Sequence, residues 1–193
     1  EERTERWEQL YIDEAFAAYA KPPGFVSAPP EGMHLVHRLD KETSGLILFA
    51  RTLEAKERFE ALFRERQIEK RYIALVEGRV AEPSGCVESH IHKVVEGRFA
   101  SGKKGKWART EWKRIECRED STLLALFPKT GRTHQIRIHM ADIGHPVIGD
   151  TTYGKQRASQ MMLHALSLRF RHPFTLDTIS LFAPCHWYNR EGL

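Results

Sequence analysis

The chain has 193 residues, 41% hydrophobic and 29% charged, with a formal net charge of +4 and a pI near 9.0. These values suit a soluble, folded globular protein with one substantial core and exclude a disordered or fibrous chain. No apolar run approaches the ~20 residues that cross a bilayer, and Glu1–Arg6 lacks the apolar stretch of a secretory signal, so no membrane partner and a cytoplasmic location are expected.

In chain order, Leu10–Ile12 and Ala15–Ala20 read as strands, the second weakened by its alanines. Lys21-Pro22-Pro23-Gly24 and Pro29-Pro30-Glu31-Gly32 read as loop, because proline fixes φ and removes a donor. The apolar run Leu46–Ala50 reads as a buried strand. Spacing then turns helical over 52–65: Ala55, Phe59, Leu62 and Phe63 share one face, and Thr52 can cap the start. Glu54/Arg58, Lys56/Glu60 and Glu60/Arg64 pair on the wet side. Arg71–Val76 follows as a strand stopped by Gly78, and residues 86–92 as another. Residues 96–106 hold three glycines and three lysines and read as an exposed loop. Glu111–Cys117 and Thr122–Phe127 are expected to pair antiparallel around Arg118–Ser121. Thr133–Ile143 has helical spacing, with Ile136, Met140 and Ile143 on one face, Gly144 as its stop and Pro146 beyond. Met161–Phe170 and Thr178–Ala183 are late strands.

Many strands, few helices and no strict alternation predict an α+β fold, with a mixed, largely antiparallel sheet flanked by helices and loops. No linker divides the chain, so residues 1–193 are expected to form a single domain. The three cysteines, Cys86, Cys117 and Cys185, are odd in number, far apart and without a Cys-x-x-Cys pair. They are expected as free thiols, neither a disulfide framework nor a structural zinc site.

Polar density peaks at His34-Leu35-Val36-His37-Arg38-Leu39-Asp40-Lys41-Glu42-Thr43-Ser44-Gly45, just before the buried strand. A loop held by a rigid sheet suits an active site. Three readings compete. His34, His37 and Asp40 recur at i,i+3 and could ligate a metal, but Arg38 and Lys41 would crowd a cation and no His-Glu-x-x-His pattern occurs. Asp40 could fix the loop by pairing with an arginine. It could equally be a nucleophile or general base toward a sugar or ring carbon, with a neighbouring cation keeping it ionised. Residue chemistry alone leaves the last two open. The stretches 103–114 and 129–139 combine lysines and arginines with aromatic and polar residues, which suits a phosphate-rich partner. Lys103, Lys104, Lys106, Arg109, Lys129 and Arg132 are the phosphate-contact candidates.

His37–Leu46 resembles the signature of RluA-type pseudouridine synthases, in which His-Arg-Leu-Asp leads to Thr-Ser-Gly. Lys21–Gly24 resembles that family's Lys-Pro-x-Gly element, Lys70–Gly78 its Lys-x-Tyr segment, and Pro128–His139 its third signature. Ile148-Gly149-Asp150, Tyr153-Gly154, Leu163-His164-Ala165 and His172-Pro173 complete the order. The resemblance implies a pseudouridine synthase catalytic fold with a central active-site cleft. It implies an isomerase that cuts uracil from ribose, turns it over and rejoins it through C5, in ribosomal or transfer RNA with the base flipped out. Asp40 would be the catalytic carboxylate, Arg137 its ion partner and Tyr72 the ring that stacks on the uracil. Arg38 would fill the gap left in the RNA, and His37, Lys129, Arg132 and His134 would contact substrate. No cofactor and no metal are expected, since the isomerisation has no net redox change and neither a Gly-Lys-Ser/Thr loop nor a dinucleotide fingerprint occurs. A monomer is expected. The chain has no room for the N-terminal RNA-binding domain of many relatives, and its Gly24–His37 stretch is short for the family, so target specificity is not carried over. The alternative is an RNA-binding module of the same fold without catalysis.

Overall fold

A computed structural model describes residues 7–188; Glu1–Arg6, the stretch read for a signal, lies outside them. The described elements are β1 (Glu8–Ile12), β2 (Phe16–Lys21), β3 (His34–Leu35), β4 (Ser44–Ala50), α1 (Leu53–Arg64), β5 (Glu69–Glu77) and β6 (Ser84–Val95). They continue with β7 (Arg98–Gly102), β8 (Lys106–Cys117), β9 (Ser121–Pro128), α2 (Gln135–Asp142), β10 (Leu163–Arg171) and β11 (Thr178–Phe182). The fold is α+β with a mixed, largely antiparallel sheet, as the irregular alternation implied. The chain gathers into two compact units, one of residues up to Lys70 together with those from His164 onward, the other of Arg71–Leu163.

In the first unit β1, β2, β4 and β10 lie in that order, with β3 paired to β4 and β11 to β10. β4 is buried at every position. An apolar run covered on both faces is what the sequence Leu46-Ile47-Leu48-Phe49-Ala50 requires. Leu46, Leu48 and Ala50 join the core with Ala55 and Phe59 of α1 and with Phe16, Leu168 and Phe170. Phe16, Phe59 and Phe170 meet edge to face at 5.0–5.7 Å. Phe49, whose side chain alternates to the other face, meets Trp7 and Tyr19. β2 is a strand despite its alanines because Ala17 and Ala18 sit opposite Phe49 and Leu48 of β4, where small side chains complement large ones. α1 starts where expected: Thr52 Oγ1 accepts the Ala55 N–H at 3.0 Å, and Glu54–Arg58 and Lys56–Glu60 pair on its outer side.

The parallel pairing of β4 with β10 brings Ser44 opposite His164 and Gly45 opposite Ala165. Gly45 has φ +116, and a Cβ there would stand 2.2 Å from the Ala165 carbonyl oxygen. Only glycine admits this approach.

In the second unit the order is β5–β9–β8–β6–β7, all antiparallel. α2 packs Ile136 and Met140 against Ala74, Trp112, Leu124 and Leu126. Two expectations change here. The strand expected over 86–92 runs from Ser84 to Val95, and the loop expected over 96–106 contains β7. The glycines misled the reading. Gly97 and Gly105 serve the turns at either end of β7, while Phe99 anchors the strand against His134 and bonds its N–H to the Tyr153 hydroxyl. The thiols are free: Cys86 exposed, Cys117 half-buried and Cys185 buried.

Replacing Gly45 by alanine is expected to lower unfolding stability by more than about 2 kcal/mol through positive φ and the clash together. Urea titration of the two proteins reads this directly; an unchanged midpoint would mean that β4 and β10 do not approach as described.

Candidate active site

Asp40 lies within the connection 36–43 between β3 and β4, and the elements around it fix that loop at several points. Lys21, at the end of β2, is only 1% exposed. Its ammonium donates to the carbonyls of Pro22 (2.9 Å), Phe25 (2.8 Å) and Lys41 (2.9 Å). Three donors meet three acceptors, which completes an ammonium group. Burial pushes the Lys21 pKa down to about 8, while the nearby Glu42 and Asp40 carboxylates oppose the fall. Lys21 is therefore cationic at neutral pH. The Gly24 N–H also donates to the Lys41 carbonyl, at 2.8 Å. Ser27 Oγ donates to the Leu39 carbonyl and accepts the Leu39 N–H, both at 2.9 Å. The Asp40 carbonyl accepts the Thr43 N–H in a turn that leads into β4, and Ser44 Oγ bonds His164 Nδ1 at 2.8 Å. The Asp40 side chain is half-buried.

His37 has a structural occupation in this loop. Its Nε2 accepts the Leu48 N–H at 2.9 Å, and its ring stacks on Phe63 with centroids 4.5 Å apart. Burial, with Lys70 nearby, lowers its pKa to about 3, so the ring is neutral, as an acceptor must be. That bond commits Nε2 of His37, one of the three side chains in the metal reading of His34, His37 and Asp40, to a backbone donor. Among the described residues no three His, Cys, Asp or Glu side chains converge to hold a metal ion.

The second unit carries Arg137 and Tyr72. Arg137 is buried on α2, and its guanidinium grips Asp150 in a two-point bond: Nε to Oδ2 at 2.8 Å and Nη2 to Oδ1 at 2.9 Å. Asp150 Oδ1 also accepts the N–H groups of Thr152 and Tyr153. Burial alone would raise the Asp150 pKa; the bonds and charge of Arg137 and the two backbone donors outweigh it, and the net shift is downward. The Tyr153 ring lies 5.2 Å from the Arg137 guanidinium carbon. Tyr153 Oη accepts the Phe99 N–H and is hydrogen-bonded to His134 Nδ1 at 2.8 Å. His134 sits at the start of α2 in the left-handed region, φ +56. Tyr72 is half-buried on β5, opposite Leu126, against the core under α2.

The remaining candidates divide. Arg38 is exposed. Arg132 Nε bonds the Trp107 carbonyl at 2.9 Å. Lys129 is exposed and 3.4 Å from Glu111. Arg109 is neutralised by Glu88 and Glu111. In the basic stretch 103–114, Trp112 is buried core and Arg114 bonds the Val80 and Ala81 carbonyls, so both are structural. Lys103, Lys104 and Lys106 are exposed.

The model of the RNA pseudouridylate synthase family matches residues 25–142. The chain belongs to that family, in its RluA type. It is 36% identical over 200 residues to the dual-specificity RNA pseudouridine synthase RluA of Pasteurella multocida, covering 91% of each chain. It is 35% identical over 178 residues to the ribosomal large subunit pseudouridine synthase C of Buchnera aphidicola, covering 83% of this chain and 56% of that relative. Several curated relatives are longer, and the chain spans between 44% and 65% of their length. The solved human RNA pseudouridylate synthase domain containing 1 superposes with a TM-score of 0.80 at 28% identity, covering 94% of this chain and 84% of that one.

For this member of the pseudouridylate synthase family, the sequence named motif segments but not what some residues in them do. Lys21, Asp150 and Tyr153 each lay inside a quoted segment without a role. The signal for Lys21 was a lysine next to two prolines that leave carbonyls without helix or sheet partners.

Two outcomes are expected. Lys21→Met strands three carbonyls and lowers stability by about 3 kcal/mol, at roughly 1 kcal/mol per lost bond; amide exchange of residues 39–43 should accelerate more than that of α2. Asp150→Asn removes one partner of a buried ion pair and costs about 3–5 kcal/mol near neutral pH. Because the folded Asp150 pKa is lowered, its contribution is present above the unfolded carboxyl value near 4 and disappears as pH falls through the folded value. Urea midpoints measured against pH should therefore converge for wild type and Asp150→Asn in acid; parallel curves would contradict the assignment.

Proposed function

We propose that this chain is an RNA pseudouridine synthase that isomerises one or more uridines of ribosomal or transfer RNA to pseudouridine. Residues 1–193 act as one catalytic domain, as a monomer in the cytoplasm. The observation that carries the reading is the loop around Asp40. The carboxylate of Asp40 is carried on a loop whose backbone is tied down by Lys21, Gly24, Ser27 and His37, which supports a role that needs a fixed position. The printed names of the relatives, which include ribosomal large subunit and dual-specificity enzymes, support RNA as the substrate class.

The reaction breaks the bond from ribose C1′ to uracil N1 and forms one from C1′ to C5. The proton lost from C5 is balanced by one gained at N1, so no cofactor, oxidant or water is consumed. Asp40 supplies the carboxylate that assists departure of the base, as nucleophile or base. Arg137 is the cation assigned to that carboxylate in this reading, and Asp150 fixes its guanidinium. Tyr72 stacks on the flipped uracil, returning about 1–3 kcal/mol against the few kcal/mol that flipping costs. Arg38 fills the vacated position in the RNA. Lys103, Lys104 and Lys106 contribute phosphate contacts, which give affinity and register; Lys129, Arg132 and His134 line the approach.

Asp40→Asn is expected to abolish pseudouridine formation, measured by nucleoside analysis of RNA transcribed in vitro, with RNA binding retained. Normal turnover by that variant would exclude Asp40. RNA binding by the wild type without any new nucleoside would instead favour a binding module that has lost catalysis.

A further inference from the structure

α2 has three faces. Ile136, Met140 and Ile143 meet the apolar core, and Arg137 turns to Asp150 and Tyr153. The third face carries Gln135, His139 and Asp142, spaced four and three residues apart and so aligned along the helix. Each of these three bonds a side chain of the sheet. His139 is fully buried, with Nδ1 2.7 Å from Thr110 Oγ1 on β8 and Nε2 2.9 Å from Ser89 Oγ on β6. Ser89 Oγ lies 2.9 Å from Ser101 Oγ on β7, and Ser101 bonds Asp142.

The protons of this chain are fixed from both ends. At one end Gln135 is saturated. Its Oε1 takes the Arg132 N–H (3.0 Å) and the Thr130 hydroxyl (2.6 Å), and its Nε2 donates to the Arg109 carbonyl (2.9 Å) and to Thr110 Oγ1 (3.1 Å). A backbone donor on one side and a backbone acceptor on the other leave no freedom to flip the amide. Thr110 therefore receives a proton from Gln135, and its own hydroxyl has His139 Nδ1 as acceptor. At the other end the Asp142 carboxylate only accepts. Ser101 spends its one proton there, Ser89 must then donate to Ser101, and His139 Nε2 must donate to Ser89. Both ends assign the same tautomer: Nδ1 bare, Nε2 protonated, ring neutral. Burial, opposed by Asp142, lowers the His139 pKa, in the same direction.

We propose that Gln135–Thr110–His139–Ser89–Ser101–Asp142 is a one-directional hydrogen-bond spine that sets the rotation of α2 about its axis, making His139 and Asp142 positioning residues for Arg137. Apolar contacts at Ile136 and Met140 hold the helix to the sheet but have little directional preference. Hydrogen bonds weaken steeply with misalignment, so the spine supplies the angle. Its catalytic consequence rests on the function proposed above.

The test begins with nitrogen-15 spectra of histidine-labelled full-length protein, with His139→Gln used for assignment. The expected ring is neutral with its proton on Nε2 at neutral pH; a proton on Nδ1, or a charged ring, overturns the spine. Exposed Asp142 then allows variants that should fold. Asp142→Ala should shift the Arg137 Nε–H resonance and slow single-turnover pseudouridine formation roughly ten- to a hundredfold, with RNA affinity unchanged. Asp142→Asn keeps an oxygen acceptor for Ser101 and should recover most of both. An unmoved Arg137 resonance in Asp142→Ala, or an Asn variant no better than Ala, overturns the proposal. The RNA probes are unmodified transcripts of large-subunit ribosomal and transfer RNA. If wild type modifies neither, the proposed function falls, while the tautomer and the Arg137 resonance still decide the spine.

Discussion

A buried ammonium with all three protons committed to main-chain oxygens is the constraint on which the Asp40 loop depends. Lys21 gathers carbonyls from Pro22, Phe25 and Lys41, groups that lie in irregular backbone and have no ladder to join. Without that cation the loop would bury acceptors with nothing to accept, at a cost comparable to several lost hydrogen bonds. The same charge stands near the Asp40 and Glu42 carboxylates. Structure and electrostatics are here served by one side chain.

The second unit solves a related problem with different means. Arg137 is a buried cation on a helix, and a single carboxylate held by two backbone N–H groups receives two of its donors. A planar fork on a planar acceptor fixes direction as well as distance, which an ammonium would not. The stacking ring of Tyr153 closes another side of the guanidinium and is itself fixed by Phe99 and His134. An arginine so held has little rotational freedom left.

The strands and both helices were legible where periodicity was strong. Leu46–Ala50 announced a strand buried on both faces, and Thr52 with the Ala55/Phe59 spacing announced α1. β7 was not legible, because glycine and lysine counts describe its turns while a single phenylalanine supplies its anchor. The motif segments pointed to Asp40, Tyr72 and Arg137, yet no spacing rule could pair Arg137 with Asp150. That bond depends on how α2 is rotated against a turn 13 residues on. Nor could sequence separate His37 the substrate contact from His37 the acceptor for Leu48, since the partner is a backbone N–H that every residue carries. The basic stretch 103–114 mixed two kinds of residue. Trp112 follows the inward alternation of β8 with Ala108 and Thr110, and Arg114, though exposed, is committed to the Val80 and Ala81 carbonyls; neither fact is visible beside exposed Lys103 and Lys104 in the sequence.

The parallel ladder between β4 and β10 has a temporal side. Ser44 and His164 are separated by 120 positions along the chain, so the downstream end of the Asp40 loop meets its neighbour only after all the residues between them have been translated. Contacts of such span form late, since the connecting chain must first be organised. A nascent copy thus carries Ser44 and Gly45 long before it has made the strand that His164 and Ala165 supply to pair with them.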